Sequence, residues 1–213
     1  MAAKGRFITL EGGEGVGKST LAASLASKLG SRGLKVVRTR EPGGSPGAEA
    51  LRRLILTPPP ELDAWGPVTE ALMFYAARRD HLDKLIRPAL DAGSWVICDR
   101  FSDSTRAYQA AAGGAVREEI EALERIVVGN RGPDLTLVLD LPLTAARARM
   151  TARATEDDAI ESRGPEYHER VRQAFLDIAR ANPQRCAVLD ASMAPEDVAD
   201  AAVKLIDQRL GAA

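Results

Sequence analysis

The stretch "GGEGVGKST", Gly12 to Thr20, places Gly12 and Gly17-Lys18-Ser19 at the spacing G-x-x-x-x-G-K-[ST]. In a phosphate-binding loop each of these positions has a mechanical task. Glycines let backbone N–H groups converge on the α- and β-phosphates, the lysine reaches the β/γ oxygens, and the hydroxyl ligates Mg2+. Gly12, Gly13, Glu14, Gly15, Val16, Gly17, Lys18, Ser19 and Thr20 are therefore the candidate ATP-binding segment. A helix beginning near Lys18 points its positive end at the same anion. One residue resists this account: Glu14 sets an anion inside an anion cradle.

A second group of chemically capable residues lies further along. "VICDR" and "LVLDL" are apolar runs ending in Asp99 and Asp140, and either carboxylate could hold Mg2+ beside Ser19. Asp99 is preferred because Arg100 follows it, which sets a metal-side acid next to a phosphate-side base. A reaction joining two phosphorylated molecules needs such a pair, since two polyanions must be held together. Asp140 is expected to cap the following helix, because in "DLPLTAA" the acid and a proline precede a helix-forming run.

These residues need elements to position them. "RFITLE" is a short β-leaning run just upstream of the loop, and "KSTLAASLASKLG" downstream puts Leu21, Leu25 and Leu29 on one helical face. Strand, glycine loop, helix is the order the motif requires. Four more β-rich runs follow, "KVVRTRE", "WVICDR", "LTLVLDL" and "CAVLD", alternating with helices over "AEALRRLIL", about 68–90, about 116–128, "TAARARMTAR", about 166–181 and the closing segment. This is the βαβ rhythm of a five-stranded parallel sheet covered by helices on both faces, with its ligand-binding loops along one edge. At 213 residues a single domain, 1–213, is expected.

With 29 basic and 30 acidic side chains the net charge is -1, so no overall field draws the chain to nucleic acid or to an anionic membrane. The apolar run in "MAAKGRFITLEGG" is too short for a secretory leader and no later stretch approaches a membrane span, so a cytoplasmic location is expected. Cys98 and Cys186 are expected as buried thiols of central strands, without the spacing of a disulfide or metal site.

The stretches "EGGEGVGKST", "TREPGG", "EALMFYAARRDH", "CDRFSDSTRAYQ" and "PDLTLVLDL" run in the order seen in bacterial-type thymidylate kinases. From Phe7 to about Leu141 the chain resembles that family. The resemblance implies a P-loop nucleoside monophosphate kinase fold with a mobile lid, here about 147–164. It implies ATP with Mg2+ as donor, dTMP as acceptor, dTDP as product, and a homodimer. Carried over by position, Phe74 would stack on thymine and Arg78 would donate to its O4. Thr105 and Gln109 would contact the base, and Tyr108 would lie under the sugar. Arg52 and Arg100 would hold the 5'-phosphate, and Glu41 with Pro42 would line the acceptor site. Glu14 would then face the acceptor and take a hydrogen bond from its 3'-hydroxyl.

The chemistry of the residues agrees with that assignment. Arg78 cannot accept a hydrogen bond, so it suits the keto oxygen of thymine or uracil and leaves the amino group of cytosine unpaired. Phe74, among Leu72, Met73 and Tyr75, remains open to a core reading. None of Gly13, Glu14, Gly15 and Val16 is basic, so the transferring phosphoryl group needs charge from elsewhere. Arg147, Arg149, Arg153 and Arg163 flank the lid, with Arg153 and then Arg149 the candidates for that task. Ala159 stands where the family carries an arginine. Two rival readings stay open: a kinase for another acceptor, and a nucleotide-switched interaction protein without an acceptor pocket.

Overall fold

The β-rich runs become five parallel strands: β1 (Phe7–Glu11), β2 (Val36–Arg40), β3 (Trp95–Asp99), β4 (Leu135–Asp140) and β5 (Cys186–Asp190). Their order across the sheet is β2-β3-β1-β4-β5, in a computed structural model that describes residues 5–152 and 159–211. The helices are α1 (Lys18–Gly30), α2 (Pro46–Leu56), α3 (Pro67–His81), α4 (Arg87–Asp91), α5 (Ser102–Thr105), α6 (Arg117–Val127), α7 (Leu143–Thr151), α8 (Pro165–Ala181) and α9 (Pro195–Leu210). Pro46, Pro67, Pro165 and Pro195 each open a helix, where a missing N–H leaves no bond unmade.

Strand alternation sorts the side chains into two layers. Ile8, Leu10, Ile97, Leu137, Leu139 and Leu189 face α1 and α9, whose Leu21, Leu25, Leu29, Val198 and Ile206 complete that core. Phe7, Val96 and Cys98 face the other way, onto Tyr75 of α3, Leu82, Ile86 and Ile120 of α6. Val138 and Cys186 meet Val171 and Phe175 of α8 on the same side. Both sides of β1 are buried, with Ile8 and Leu10 apolar on one face and Thr9 and Glu11 setting polar groups on the other.

Two details differ from expectation. Cys186 lies in β5, an edge strand and not a central one, because β5 pairs only with β4 in the sheet. The helix expected over 68–90 is interrupted by a π-helical turn, Leu82–Ile86, between α3 and α4. The break falls just before Pro88, which has no N–H to give the preceding turn. A second π-helical segment, Arg106–Ala111, extends α5 and carries Tyr108 and Gln109. Among the described residues both cysteines are free and no helix is long and apolar enough to cross a membrane.

Register delivers the site. Leu10 pairs with Asp99 and Asp99 with Arg40, so β1, β2 and β3 end level. Arg100 N–H then donates to Leu10 O and Glu41 N–H to Asp99 O, both at 2.9 Å, carrying the ladder one residue past the strands. The loops that begin at Gly12, Pro42 and Arg100 leave this one edge side by side. The fully buried Leu25 anchors α1, and with it the phosphate loop. Leu25→Ala is expected to cost about 2–5 kcal/mol of unfolding free energy, read from the urea midpoint with an unchanged slope. A loss below about 1 kcal/mol would mean α1 is not packed as described.

Candidate active site

Gly12 adopts φ +135°, and a Cβ there would stand 2.5 Å from the Leu139 carbonyl oxygen, so only glycine allows the loop to leave β1 this close to β4. The loop ends at Gly17, whose left-handed φ of 96° starts α1 at Lys18. Lys18 is buried and bends back over the loop, donating from Nζ to Gly13 O at 2.6 Å and to Gly12 O at 3.3 Å. Burial and the neighbouring Arg100 lower its pKa to about 8, against the pull of Glu14, Asp99 and Glu11. Ser19 Oγ, in the first turn of α1, donates to Asp99 Oδ2 at 2.6 Å, so the two expected Mg2+ ligands meet.

Arg100 is the only described non-glycine residue with positive φ, 69°. That conformation is strained for a long side chain, and it aims the guanidinium back over the phosphate loop. Nη1 donates to Gly12 O at 2.9 Å and to Ser104 Oγ at 3.1 Å. Nη2 donates to Glu14 Oε1 at 2.6 Å and to the Tyr108 hydroxyl at 3.1 Å. The same hydroxyl donates to Glu14 Oε1 at 2.9 Å. Burial alone would raise the Glu14 pKa, but Arg100, Lys18 and the Tyr108 hydroxyl hold it down at about 2. The anion in the cradle is thus turned to the side and paired, with no donor on Oε2 among the described residues.

Beside this cluster opens a cavity of about 130 Å³. Glu14, Glu41, Pro42, Arg52, Phe74, Arg78, Arg100, Thr105, Tyr108 and Gln109, all expected in an acceptor site, line it. They arrive from four places: the phosphate loop, the segment after β2 with α2, the face of α3, and the segment after β3. Arg52 donates to Pro42 O at 2.8 Å. Phe74 is half-buried at the wall while its neighbour Tyr75 is the core aromatic, so the core reading of Phe74 fails.

Arg78 is buried to 2 % exposure, stacked over Tyr75 and Phe101 at 4.6 and 5.1 Å. Its Nε donates to Glu41 Oε2 at 2.7 Å and its Nη2 to Thr105 Oγ1 at 3.1 Å. The other Glu41 oxygen meets His81 Nδ1 at 3.0 Å, so Glu41 serves the cavity mainly by fixing Arg78. Among the described residues Nη1 of Arg78 is the one buried side-chain polar atom with no hydrogen-bond partner. An orphan donor of this kind costs about 1–3 kcal/mol unless a ligand takes it.

The lid side is different. Arg153 lies outside the described residues. Arg149 donates to Ala191 O at 3.0 Å, beyond β5 and away from the 130 Å³ cavity, whereas Arg147 lines a larger space of about 530 Å³ that also touches Gly12, Gly13 and Glu14. Arg163 pairs with Glu70 of α3. Ala159, the departure from the family pattern, donates its N–H to Leu56 O at 3.1 Å, and the next residue, Ile160, lines the 130 Å³ cavity. Asp140 does not cap α7, whose N-cap is Pro142 without a side-chain bond. It is held by Arg172 of α8 through bonds of 2.7 and 3.1 Å, because a bidentate guanidinium outcompetes a neutral N–H for a carboxylate.

Sequence reasoning missed three residues that shape the site. Ser104 is a ligand of Arg100, and Glu70 holds Gln109; the spacing of Glu70, Phe74 and Arg78 at four-residue steps on α3 was the available signal for Glu70. Glu11, fully buried at the end of β1, accepts from Phe101 N–H at 2.8 Å and from Ser104 Oγ at 2.6 Å. It gave no signal, since nothing local marks a strand-end carboxylate as buried.

A parallel α/β sheet with a phosphate loop at one strand end and an arginine-lined second cavity beside it has the architecture of a P-loop nucleoside monophosphate kinase. The chain belongs to the thymidylate kinase family, whose profile matches residues 10–202. It is 50% identical over 208 residues to a thymidylate kinase of Caulobacter vibrioides, covering 98% of this chain and 99% of that one. It is 48% identical over 197 residues to a Bradyrhizobium thymidylate kinase, covering 92% and 86%. A crystal structure of thymidylate kinase from Ehrlichia chaffeensis matches with a TM-score of 0.77 at 34% identity, covering 95% of this chain and 99% of that one.

Burial, and the nearby Asp103, raise the Glu11 pKa from 4.5 to about 8 despite the bonds from Ser104 and Phe101. A folded-state value above the unfolded one means the proton binds the folded chain more tightly. The stability it lends is complete below pH 4.5 and is lost as pH rises toward 8. Melting temperature should therefore fall from pH 6 to pH 9 more steeply in the wild type than in Glu11→Gln, which keeps a neutral group there. Parallel profiles would show that Glu11 does not titrate in this range.

Proposed function

We propose that this chain moves the γ-phosphoryl group of ATP to dTMP, giving dTDP and ADP in the supply of dTTP. The observation that carries this reading is the buried guanidinium of Arg78, whose Nη1 has no partner among the described residues, in the wall of a cavity shared with Phe74, Thr105 and Gln109. A donor that cannot become an acceptor, next to an aromatic face, selects a keto pyrimidine, and family membership supplies the rest.

The placement of the residues supports the following roles. Backbone N–H groups of Gly13 to Thr20 and Lys18 take the donor phosphates, with the N-terminus of α1 behind them. Arg100 and Arg52 hold the acceptor 5'-phosphate, Phe74 stacks on the base, and Tyr108 supports the sugar. Glu41 and Pro42 form the wall behind Arg78. Ser19 and Asp99 would hold Mg2+, since a hydroxyl and a carboxylate, both hard oxygen donors, already meet there. When bound, the ion supplies positive charge to the β- and γ-phosphoryl oxygens. Arg149 and Arg153 remain the candidates for completing that charge from the lid. Catalysis on this reading is positioning and electrostatics, with Arg100 tying the loop to the acceptor wall. A cytoplasmic homodimer fits the same reading. ATP supply favours the location, and the exposed Val68 and Leu72 of α3 and Ile126 of α6 favour association.

A coupled assay of ADP release against each nucleoside monophosphate tests the proposal. Turnover should depend on dTMP and exceed that with any other monophosphate. Acceptor-independent hydrolysis of similar rate would favour a nucleotide switch instead.

Oε2 of Glu14, which has no donor among the described residues, suits the sugar 3'-hydroxyl. Such a charge-assisted bond is worth roughly 1.5–3 kcal/mol, or about tenfold to a hundredfold in kcat/KM. Glu14→Ala should impose that loss with dTMP and little further loss with the 3'-deoxy analogue, which wild type already handles poorly. Equal penalties on both substrates would show that Glu14 serves only Arg100.

A further inference from the structure

Glu70 stands four residues before Phe74 and eight before Arg78, on the same face of α3. It is a buried carboxylate, and its two oxygens are divided between two partners. Oε2 accepts from Gln109 Nε2 at 3.1 Å. Oε1 accepts from Nη2 of Arg163, whose guanidinium lies 4.8 Å over the Tyr167 ring and whose Nη1 donates to the Tyr167 hydroxyl at 2.8 Å. That hydroxyl in turn donates to the Tyr108 carbonyl at 2.9 Å. Arg163 thus keeps a charged partner on Glu70 from the segment just before α8.

An ionised carboxylate accepts hydrogen bonds and cannot donate them. Glu70 therefore admits only the NH2 end of the Gln109 amide, and the carbonyl end must turn away from it. Gln109 is buried and lines the acceptor cavity together with Arg78. We propose that Glu70 is a positioning residue for base selection: it locks the Gln109 amide with its carbonyl toward the cavity, beside the orphan donor of Arg78. This rests on the reading of that cavity as the site of the acceptor base.

The resulting wall offers one donor and one acceptor. A keto pyrimidine presents the complement, an O4 acceptor next to an N3–H donor. Cytosine presents the opposite at both atoms, an amino donor next to an unprotonated N3. Arg78 rejects the amino group regardless of its surroundings, because it has no acceptor to offer. Gln109 differs, since an amide that rotates by half a turn would donate to cytosine N3 and accept the mismatch. Which way it points is decided by Glu70, a residue that touches no part of the base.

The test compares dTMP with 5-methyl-dCMP, which differ only at position 4 and N3, in wild type and in Glu70→Gln. A glutamine at position 70 meets either end of the Gln109 amide. The ratio of kcat/KM for dTMP over 5-methyl-dCMP should fall about tenfold, the worth of one mismatched hydrogen bond. Arg163→Ala removes the ion pair but leaves the carboxylate on Gln109, so its ratio should stay near wild type even if turnover drops. Gln109→Leu should lower the ratio without disturbing the Glu70–Arg163 pair, and adding Glu70→Gln to it should lower the ratio no further. An unchanged ratio in a Glu70→Gln protein of wild-type melting temperature overturns the proposal. So does an unchanged ratio in Gln109→Leu, which decides the matter if Glu70→Gln fails to fold. Wild type that does not turn over dTMP would instead sink the functional reading itself, and the proposal with it.

Discussion

The guanidinium of Arg100 joins parts of the chain that otherwise have no reason to stay together. It bonds to the carbonyl of the first loop glycine, to Glu14 inside the loop, and to Ser104 and Tyr108 beyond β3. The glycine-rich loop and the wall of the neighbouring cavity are therefore one hydrogen-bonded unit. The Arg100–Glu14 pair is partly buried, and removing either member would leave the other charge without its partner. The left-handed backbone at Arg100 is tolerated because so many bonds depend on where it points.

Beneath that unit the sheet is polar where its core would ordinarily be apolar. Thr9 and Thr136 share a hydrogen bond of 2.8 Å between β1 and β4, and Arg185 donates to both Thr136 and the buried Asp103. Asp103 also accepts from Arg106 at 2.9 Å. Glu11 sits among these groups and receives the N–H of Phe101. The two residues that flank Asp103, Ser102 and Ser104, belong to the turn that carries Arg100 into place. Buried polar networks of this kind add little net stability over a hydrophobic core, but each bond has one geometry. Here that geometry orients the segment after β3.

The two cavities are dressed differently for a physical reason. The smaller cavity is built on α3, α5 and the π-helical segment after α5, which carry Arg78, Thr105 and Gln109. The extra residue of a π-turn turns Tyr108 toward the loop while its neighbour Gln109 reaches Glu70. The larger space beside α7 and α8 holds the ion pair of Asp140 with Arg172, and Arg147 also lines it.

Some of this was readable in the chain alone. Strand, glycine loop and helix are consecutive, so the phosphate loop needed only local chemistry to be found, and the alternation of apolar runs with helical periods was enough for a five-stranded parallel sheet. The residues that the family resemblance implied for an acceptor site all line one cavity. What the sequence left open were the partners of charges. Asp140 looked like a cap and is an ion-pair member; Cys186 looked central and lies at an edge. Glu14 and Arg100 are 86 residues apart, and Arg163 and Glu70 are 93 apart. Hydrophobic period and turn chemistry act over a few residues and are written locally. Which cation meets which carboxylate, and which donor is left over for a ligand, depends on strand register and on how α3 and α8 cross the sheet, and these exist only once the chain has folded.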